Sequence, residues 1–221
     1  MCIIAIVGGG PLANIPTLKS YASEIDIWIG ADEGASYIVN EHLPLHTAIG
    51  DFDSVTEVEL QQLCVQAGDV KVFPKEKDET DLELAIRHAI KLRPSKILLF
   101  GVTGGRIDHT LINIQLLYSL IKKGIRTKIV DTSNVIELYE PGDYKVKKSS
   151  TYPYISFIPM SEIVKSLSLH GFYYPLEDKT IRWGETLCLS NKLLLENGNF
   201  SFDDGILILI KSRDQMTQPI Y

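Results

Sequence analysis

Six short apolar runs separated by amphipathic stretches fill residues 1–133, and this alternation constrains the fold more than anything else in the chain. The runs are "CIIAIV" (2–7), "IDIWIG" (25–30), "HTAIG" (46–50), "VKVF" (70–73), "KILLFG" (96–101) and "TKIVD" (127–131). They are rich in Ile and Val and nearly continuous, as strands buried on both faces should be. Between them the period changes. Leu82, Ala85, Ile86, Ala89 and Ile90 recur at three- and four-residue spacing within 80–93. Ile107, Leu111, Ile114, Leu117 and Ile121 do so within 107–123, ended by Gly124. Both patterns are helical. Strand–helix alternation of this kind predicts an α/β domain built on a mostly parallel, Rossmann-like sheet.

The pattern changes after residue 133. "VIELY", "YKVK", "YPYISFIPM", "LSLHGFYY", "TIRWGETLCLS", "LLLEN" and "FDDGILILIKS" are strand-like, and "EPGD", "ENGN" and "DDG" between them are turn chemistry. No long helical period appears. Residues 134–221 are therefore expected to form a smaller all-β domain, a sandwich or open barrel.

Composition excludes several partners. The net charge of −6 argues against a nucleic-acid surface, which needs a basic face. No apolar run approaches the roughly 20 residues needed to span a bilayer, and the opening "MCIIAIVGGG" lacks the charged start of a secretory signal. Cys2, Cys64 and Cys188 are scattered and odd in number, which predicts buried, reduced thiols in a cytoplasm.

Ligands of open α/β sheets bind beyond the carboxyl ends of the strands. The segments following the first five runs are Gly8-Gly9-Gly10-Pro11, "GADEGA" with Asp32, "GDFDS" with Asp51 and Asp53, "PKEKDETD" with Lys75, Lys77, Asp78 and Asp81, and "GGRIDH" with Arg106, Asp108 and His109. Glycine, acid or both recur at one end of the sheet.

Read as an extended segment, Asp51-x-Asp53 aims two carboxylates the same way. Asp78 and Asp81 flank a helix start, where Thr80-x-x-Glu83 fits a capping box. So many acids on one rim need a cation among them, and hard oxygen ligands suit Mg²⁺ with phosphate. Gly104-Gly105 before a helix admits an anion to backbone N–H groups. Arg106 adds a planar fork for phosphate oxygens, and Lys75 and Lys77 add point charges. Acids for Mg²⁺ beside cations for phosphate point to a nucleoside triphosphate. His109 fits a general base, a ligand partner or a cap of its own turn.

Together "GDFDS", "EKDETDLELAI", "GGRIDHTLIN" and "LSN" (189–191), in this order and spacing, resemble the thiamin pyrophosphokinase family over nearly the whole chain. The resemblance implies diphosphate transfer from ATP to the hydroxyethyl group of thiamin, with Mg²⁺, by a homodimer that binds thiamin between the α/β domain of one subunit and the β domain of the other. It implies that Asp51, Asp53 and Asp81 hold metal and phosphate, with Asp32 close by. Lys77, Thr80, Gly105, Arg106 and Asp108 become nucleotide contacts. Ser190 and Asn191, in the strand-like "TLCLSN", become thiamin-site residues, and Trp183 an aromatic wall or a core residue. The chain departs from the family at Glu33, where a glycine is usual, and at Ser36, where an asparagine is common. Asp32 and Asp51 both remain candidates to take the hydroxyl proton. Two other readings stay open: diphosphate transfer to a pterin or another small alcohol, and a nucleotide-binding module without turnover.

Overall fold

The structure, a computed structural model, describes residues 1–52 and 56–214. Asp53 lies outside the described residues. The chain divides into two compact units, Met1–Thr132 and Ser133–Tyr221.

In the first unit six strands run in parallel: β1 (Ile3–Val7), β2 (Ile27–Ala31), β3 (Leu45–Gly50), β4 (Asp69–Val72), β5 (Lys96–Phe100) and β6 (Arg126–Val130). Their order in the sheet is β4-β3-β2-β1-β5-β6. The chain thus builds outward from β1 in one direction, then returns to place β5 on the other side of β1. That reversal opens a crevice beyond the carboxyl ends of β1 and β5. Among the described residues four α-helices intervene: α1 (Gly34–Asn40), α2 (Glu57–Gln66), α3 (Asp81–Lys91) and α4 (Ile107–Ile121). The core of this sheet is mostly apolar, with Thr47 of β3 a buried polar residue. Ile4, Ala5, Ile6 and Val7 of β1 are fully buried, as are Leu99 and Phe100 of β5.

Sequence periodicity identifies α3 well: Leu82, Ala85, Ile86 and Ala89 are its buried residues. For α4 the face differs from expectation. The buried residues are Asn113, Leu117 and Leu120, while Ile107 and Leu111 are exposed. The helix is apolar almost all round, so periodicity alone does not choose its inward face. The helices α1 and α2 come after the β2 and β3 ends and carry no sharp period in the sequence.

The second unit contains two antiparallel groups of strands. One pairs β7 (Asn134–Tyr139), β13 (Leu207–Ser212) and β9 (Tyr154–Pro159), with β13 in the middle. The other runs β11 (Leu176–Arg182), β10 (Ile163–His170), β12 (Asn197–Phe202) and β8 (Gly142–Lys147). Inward residues such as Phe157, Leu167, Phe172, Phe200 and Leu207 form one core, with Phe157 against Phe172 and Phe200 at ring separations of 5.5 and 5.0 Å. Two strand expectations fail here. "TLCLSN" and "LLLEN" are not strands: β11 ends at Arg182 and regular pairing resumes only at Asn197. Leu187, Leu189, Leu194 and Leu195 are all exposed, and only Cys188 and Leu193 of these segments enter the core.

Candidate active site

A cavity of about 790 Å³ opens at the crevice beyond β1 and β5, entirely within the first unit. One wall is glycine. Gly8 N–H donates to Phe100 O and Gly10 N–H to Gly101 O, both at 2.8 Å, so the β1 and β5 loops leave the sheet side by side. Gly101 has φ +62°, and a Cβ there would stand 2.4 Å from Gly8 O. Only glycine allows this approach. Beyond it, Gly104, Gly105 and Arg106 lead into α4.

The opposite wall is charged. Lys77 Nζ lies 3.1 Å from Asp81 Oδ1 and 3.4 Å from Asp51 Oδ2. These side chains are 12%, 24% and 15% exposed respectively. Burial pulls the Lys77 ammonium down, but hydrogen bonding and charge from Asp81, then Asp51, outweigh it and leave the pKa above the usual lysine value. Thr80 is the N-cap of α3, its Oγ1 accepting from Glu83 N–H at 3.2 Å. Glu83 turns instead to Arg87 at 2.9 Å, so half of the expected capping box forms. The cap matters because Asp81 is the first residue of the helix it starts. Asp78 is exposed and outside that helix.

Asp32 lines the same cavity. It has φ +51°, and the end of β3 packs closely against it: a Cβ on Gly50 would meet Asp32 Cα at 3.1 Å. Asp51 comes directly after. The expectation of an extended Asp51-x-Asp53 segment is corrected at Phe52, a buried residue with φ +53°. The chain turns there, because burying the ring takes precedence over extended geometry. Glu33, where the chain departs from the family pattern, hydrogen-bonds Tyr37. Burial first, then Glu33, pushes the Tyr37 hydroxyl up to about 12.

Arg106 lines the cavity, whereas Asp108 does not. Asp108 grips the Arg106 guanidinium with two bonds, Nε to Oδ1 at 3.1 Å and Nη2 to Oδ2 at 2.6 Å. The hydrogen bond from Arg106 holds the Asp108 carboxyl at about 2, with the His109 N–H adding to it. His109 also lines the cavity. Arg106 is the N-cap residue of α4, with no capping bond from its own side chain, and His109 stands three residues on.

In the second unit Trp183 is 64% exposed, which removes the core alternative for it. Ser190 is exposed with φ +54°, its N–H donating to Ser156 Oγ at 3.0 Å. Asn191 differs from the expected substrate contact. It is 2% exposed, and its Oδ1 accepts from the N–H groups of Tyr174 (3.0 Å) and Lys192 (2.8 Å). Its Nδ2 donates to Tyr174 O at 2.8 Å. The amide is spent on its own chain. Cys188 is buried and its thiol is pushed up to about 11 by burial and then Glu185. Cys64 is exposed, against the expectation that the thiols are buried.

Glu79, Leu82, Thr103 and Asn113 also line the cavity. Sequence reasoning gave none of them a role there. Glu79 pairs with Arg87. The sequence does carry one signal for Thr103. Like β2 and β3, β6 ends next to an acid, Asp131, and that carboxylate contacts Thr103.

Residues 18–129 match the family model described as thiamin pyrophosphokinase, catalytic domain, and residues 143–207 that of the thiamin pyrophosphokinase vitamin B1 binding domain. The chain is 45% identical over 214 residues to the thiamine pyrophosphokinase of Bacillus subtilis (strain 168), covering 97% of this chain and 100% of that protein. A crystal structure of thiamine pyrophosphokinase from Bacillus subtilis superposes with a TM-score of 0.91 at 44% identity, covering 96% of this chain and 100% of that one. One from Geobacillus thermodenitrificans gives 0.87 at 41% identity, covering 98% and 100%. The thiamin pyrophosphokinase of Candida albicans, 17% identical with a TM-score of 0.82 over 96% of this chain and 89% of that one, shares the fold. Two family models matched in order, and a relative matched along its whole length, place this chain in the thiamin pyrophosphokinase family.

Proposed function

We infer that this chain transfers a diphosphate group from ATP to the hydroxyl of thiamin, giving thiamin diphosphate and AMP, with ATP held in the first unit and thiamin bound through the second. The observation that carries the nucleotide half is one cavity whose glycine loops face Lys77, Asp51 and Asp81. Backbone N–H groups and a helix start on one side suit phosphate oxygens, and the charged wall suits a cation accompanying them.

Mg²⁺ fits the residues present. It favours one or two carboxylates together with phosphate oxygens and water. Asp51 and Asp81 converge on one ammonium, and Asp81 Oδ1 is buried with no hydrogen bond beyond that ion pair. Asp51 and Asp81 would hold Mg²⁺, joined by Asp53 outside the described residues. When bound, it would offset phosphate charge.

Transfer of this kind rests on positioning and charge neutralisation. Lys77 and Arg106 supply positive charge along the triphosphate, and Gly105 lets the backbone approach it. Thr80 acts by starting α3 and thereby placing Asp81. Asp108 acts by orienting Arg106 rather than by touching nucleotide. Asp32 or Asp51 accepts the hydroxyl proton, both lying on the cavity wall.

For thiamin, Trp183 and Ser190 offer exposed contacts, and Asn191 holds the backbone around them. Tyr173 and Tyr174, each 60% exposed and 4.9 Å apart, extend an uncovered aromatic surface. Such a surface suits an aromatic ligand shared with a second subunit, in a homodimer. Free Cys2, Cys64 and Cys188 together with dependence on ATP fit a cytoplasmic location. No helix among the described residues is long and apolar enough to cross a membrane.

The test is direct: incubate the protein with ATP, Mg²⁺ and thiamin, and separate the products. AMP and thiamin diphosphate are expected in equal amounts. AMP formed only with another acceptor overturns the thiamin assignment. Nucleotide binding without AMP overturns transfer altogether.

A further inference from the structure

Asp131 has no part in the arrangement above, yet it is a carboxylate only 6% exposed. It comes directly after β6, the neighbour of β5 in the sheet. Its Oδ2 accepts a hydrogen bond from Thr103 Oγ1 at 2.8 Å, and Thr103 is 7% exposed. Thr103 belongs to the loop after β5 and lines the cavity. Its carbonyl oxygen stands 3.1 Å from where a Cβ on Gly10 would lie, so it also abuts the β1 loop. One residue earlier, Val102 O accepts from Asn113 Nδ2 at 2.8 Å, again out of solvent. The loop is therefore tied on both sides, residue 102 to α4 and residue 103 to the end of β6.

Burying a carboxylate carries a desolvation penalty that an apolar pair of the same shape avoids. A hydrogen bond to a charged acceptor, however, is short and directional. It ties Thr103 to the end of β6, and so fixes where the loop passes into Gly104 and Gly105. A hydrophobic contact fixes position far less sharply.

We propose that Asp131 is a positioning residue for the nucleotide site, setting through Thr103 the spacing of the two glycine-rich loops, after β1 and β5, that receive the triphosphate. The proposal rests on the reading of this cavity as the ATP site. Thr103→Val, which keeps the shape and removes the donor, should raise KM for ATP about tenfold, the loss expected for a hydrogen bond to a charged group. KM for thiamin should stay within about twofold. Thr103→Ser should restore KM for ATP. Asp131→Asn should raise it too, and the double variant Thr103→Val/Asp131→Asn should be no worse than the poorer single one, because both act through one contact.

Wild-type ATP binding, measured by calorimetry, runs in parallel, with a melting midpoint for every variant. Wild type that fails to bind ATP overturns the assignment of the cavity and this proposal with it. Wild type that binds, with a folded Thr103→Val whose KM for ATP is unchanged, overturns this proposal alone. So does a serine variant that fails to restore it, or an additive double variant. Should Thr103→Val fail to fold, Asp131→Asn against wild type decides by the same KM split.

Discussion

Lys77 Nζ sits 3.1 Å from Asp81 Oδ1, four residues further on, with Asp51 completing the contact from the end of β3. One ammonium thus joins the loop before α3 to the loop after β3, largely out of solvent. Removing it as Lys77→Met leaves two carboxylates facing each other, at a cost of about 1–3 kcal/mol in urea unfolding. Added Mg²⁺ should recover part of that loss. The pH dependence tracks the raised Lys77 pKa. The stabilisation is fully present below the ordinary lysine value of 10.5 and is lost as pH rises through the higher folded value. The methionine variant should lack this alkaline limb.

Asp81→Asn and Asp51→Asn should each lower turnover by roughly two orders of magnitude or more, far beyond what the fall in melting midpoint from losing one partner of Lys77 accounts for. The measurement is kcat alongside thermal unfolding. Near-native turnover in either variant would remove that carboxylate from the proposed metal and phosphate set.

The Asp108 carboxyl should titrate near pH 2 by NMR because Arg106 holds its charged form. Its contribution to stability is present above the ordinary carboxylate value and fades as pH falls toward 2. In Arg106→Gln the midpoint should return toward the ordinary value, since the largest cause of the shift is gone.

Gly101→Ala should destabilise the first unit by at least about 2 kcal/mol, since it combines φ +62° with a 2.4 Å approach to Gly8 O. Gly124→Ala is the control. Its φ is similar at +72° but nothing lies within 4 Å of the added carbon, so about 1 kcal/mol is expected from backbone conformation alone. Urea unfolding of both separates close approach from dihedral preference.

Asn191→Ala should cost about 1–2 kcal/mol, leaving part-buried Tyr174 backbone groups without their side-chain partner. Ser190→Ala should leave stability near wild type and raise KM for thiamin. The contrast, read by melting midpoint against steady-state kinetics, tests whether adjacent residues divide into a structural and a contacting role.

Local pattern alone determined the six parallel strands, the helix α3 with its buried face, and the presence of glycine, acid and cation at one end of the sheet. These arise from burial periodicity and turn chemistry, which act over a few residues. Tertiary structure decided the rest, because each remaining choice depends on distant partners. The order that places β5 beside β1 creates the crevice. Packing chose Asn113, Leu117 and Leu120 as the inner face of α4, whose apolar residues are spread around the helix, and turned the chain at Phe52 to bury its ring. Hydrogen bonding to Tyr174 withdrew Asn191 from the surface, and the pairing of Arg106 with Asp108 left only the cation facing the cavity. The bond from Thr103 to Asp131 spans 28 residues of chain, and only the parallel pairing of β5 with β6 makes the two neighbours.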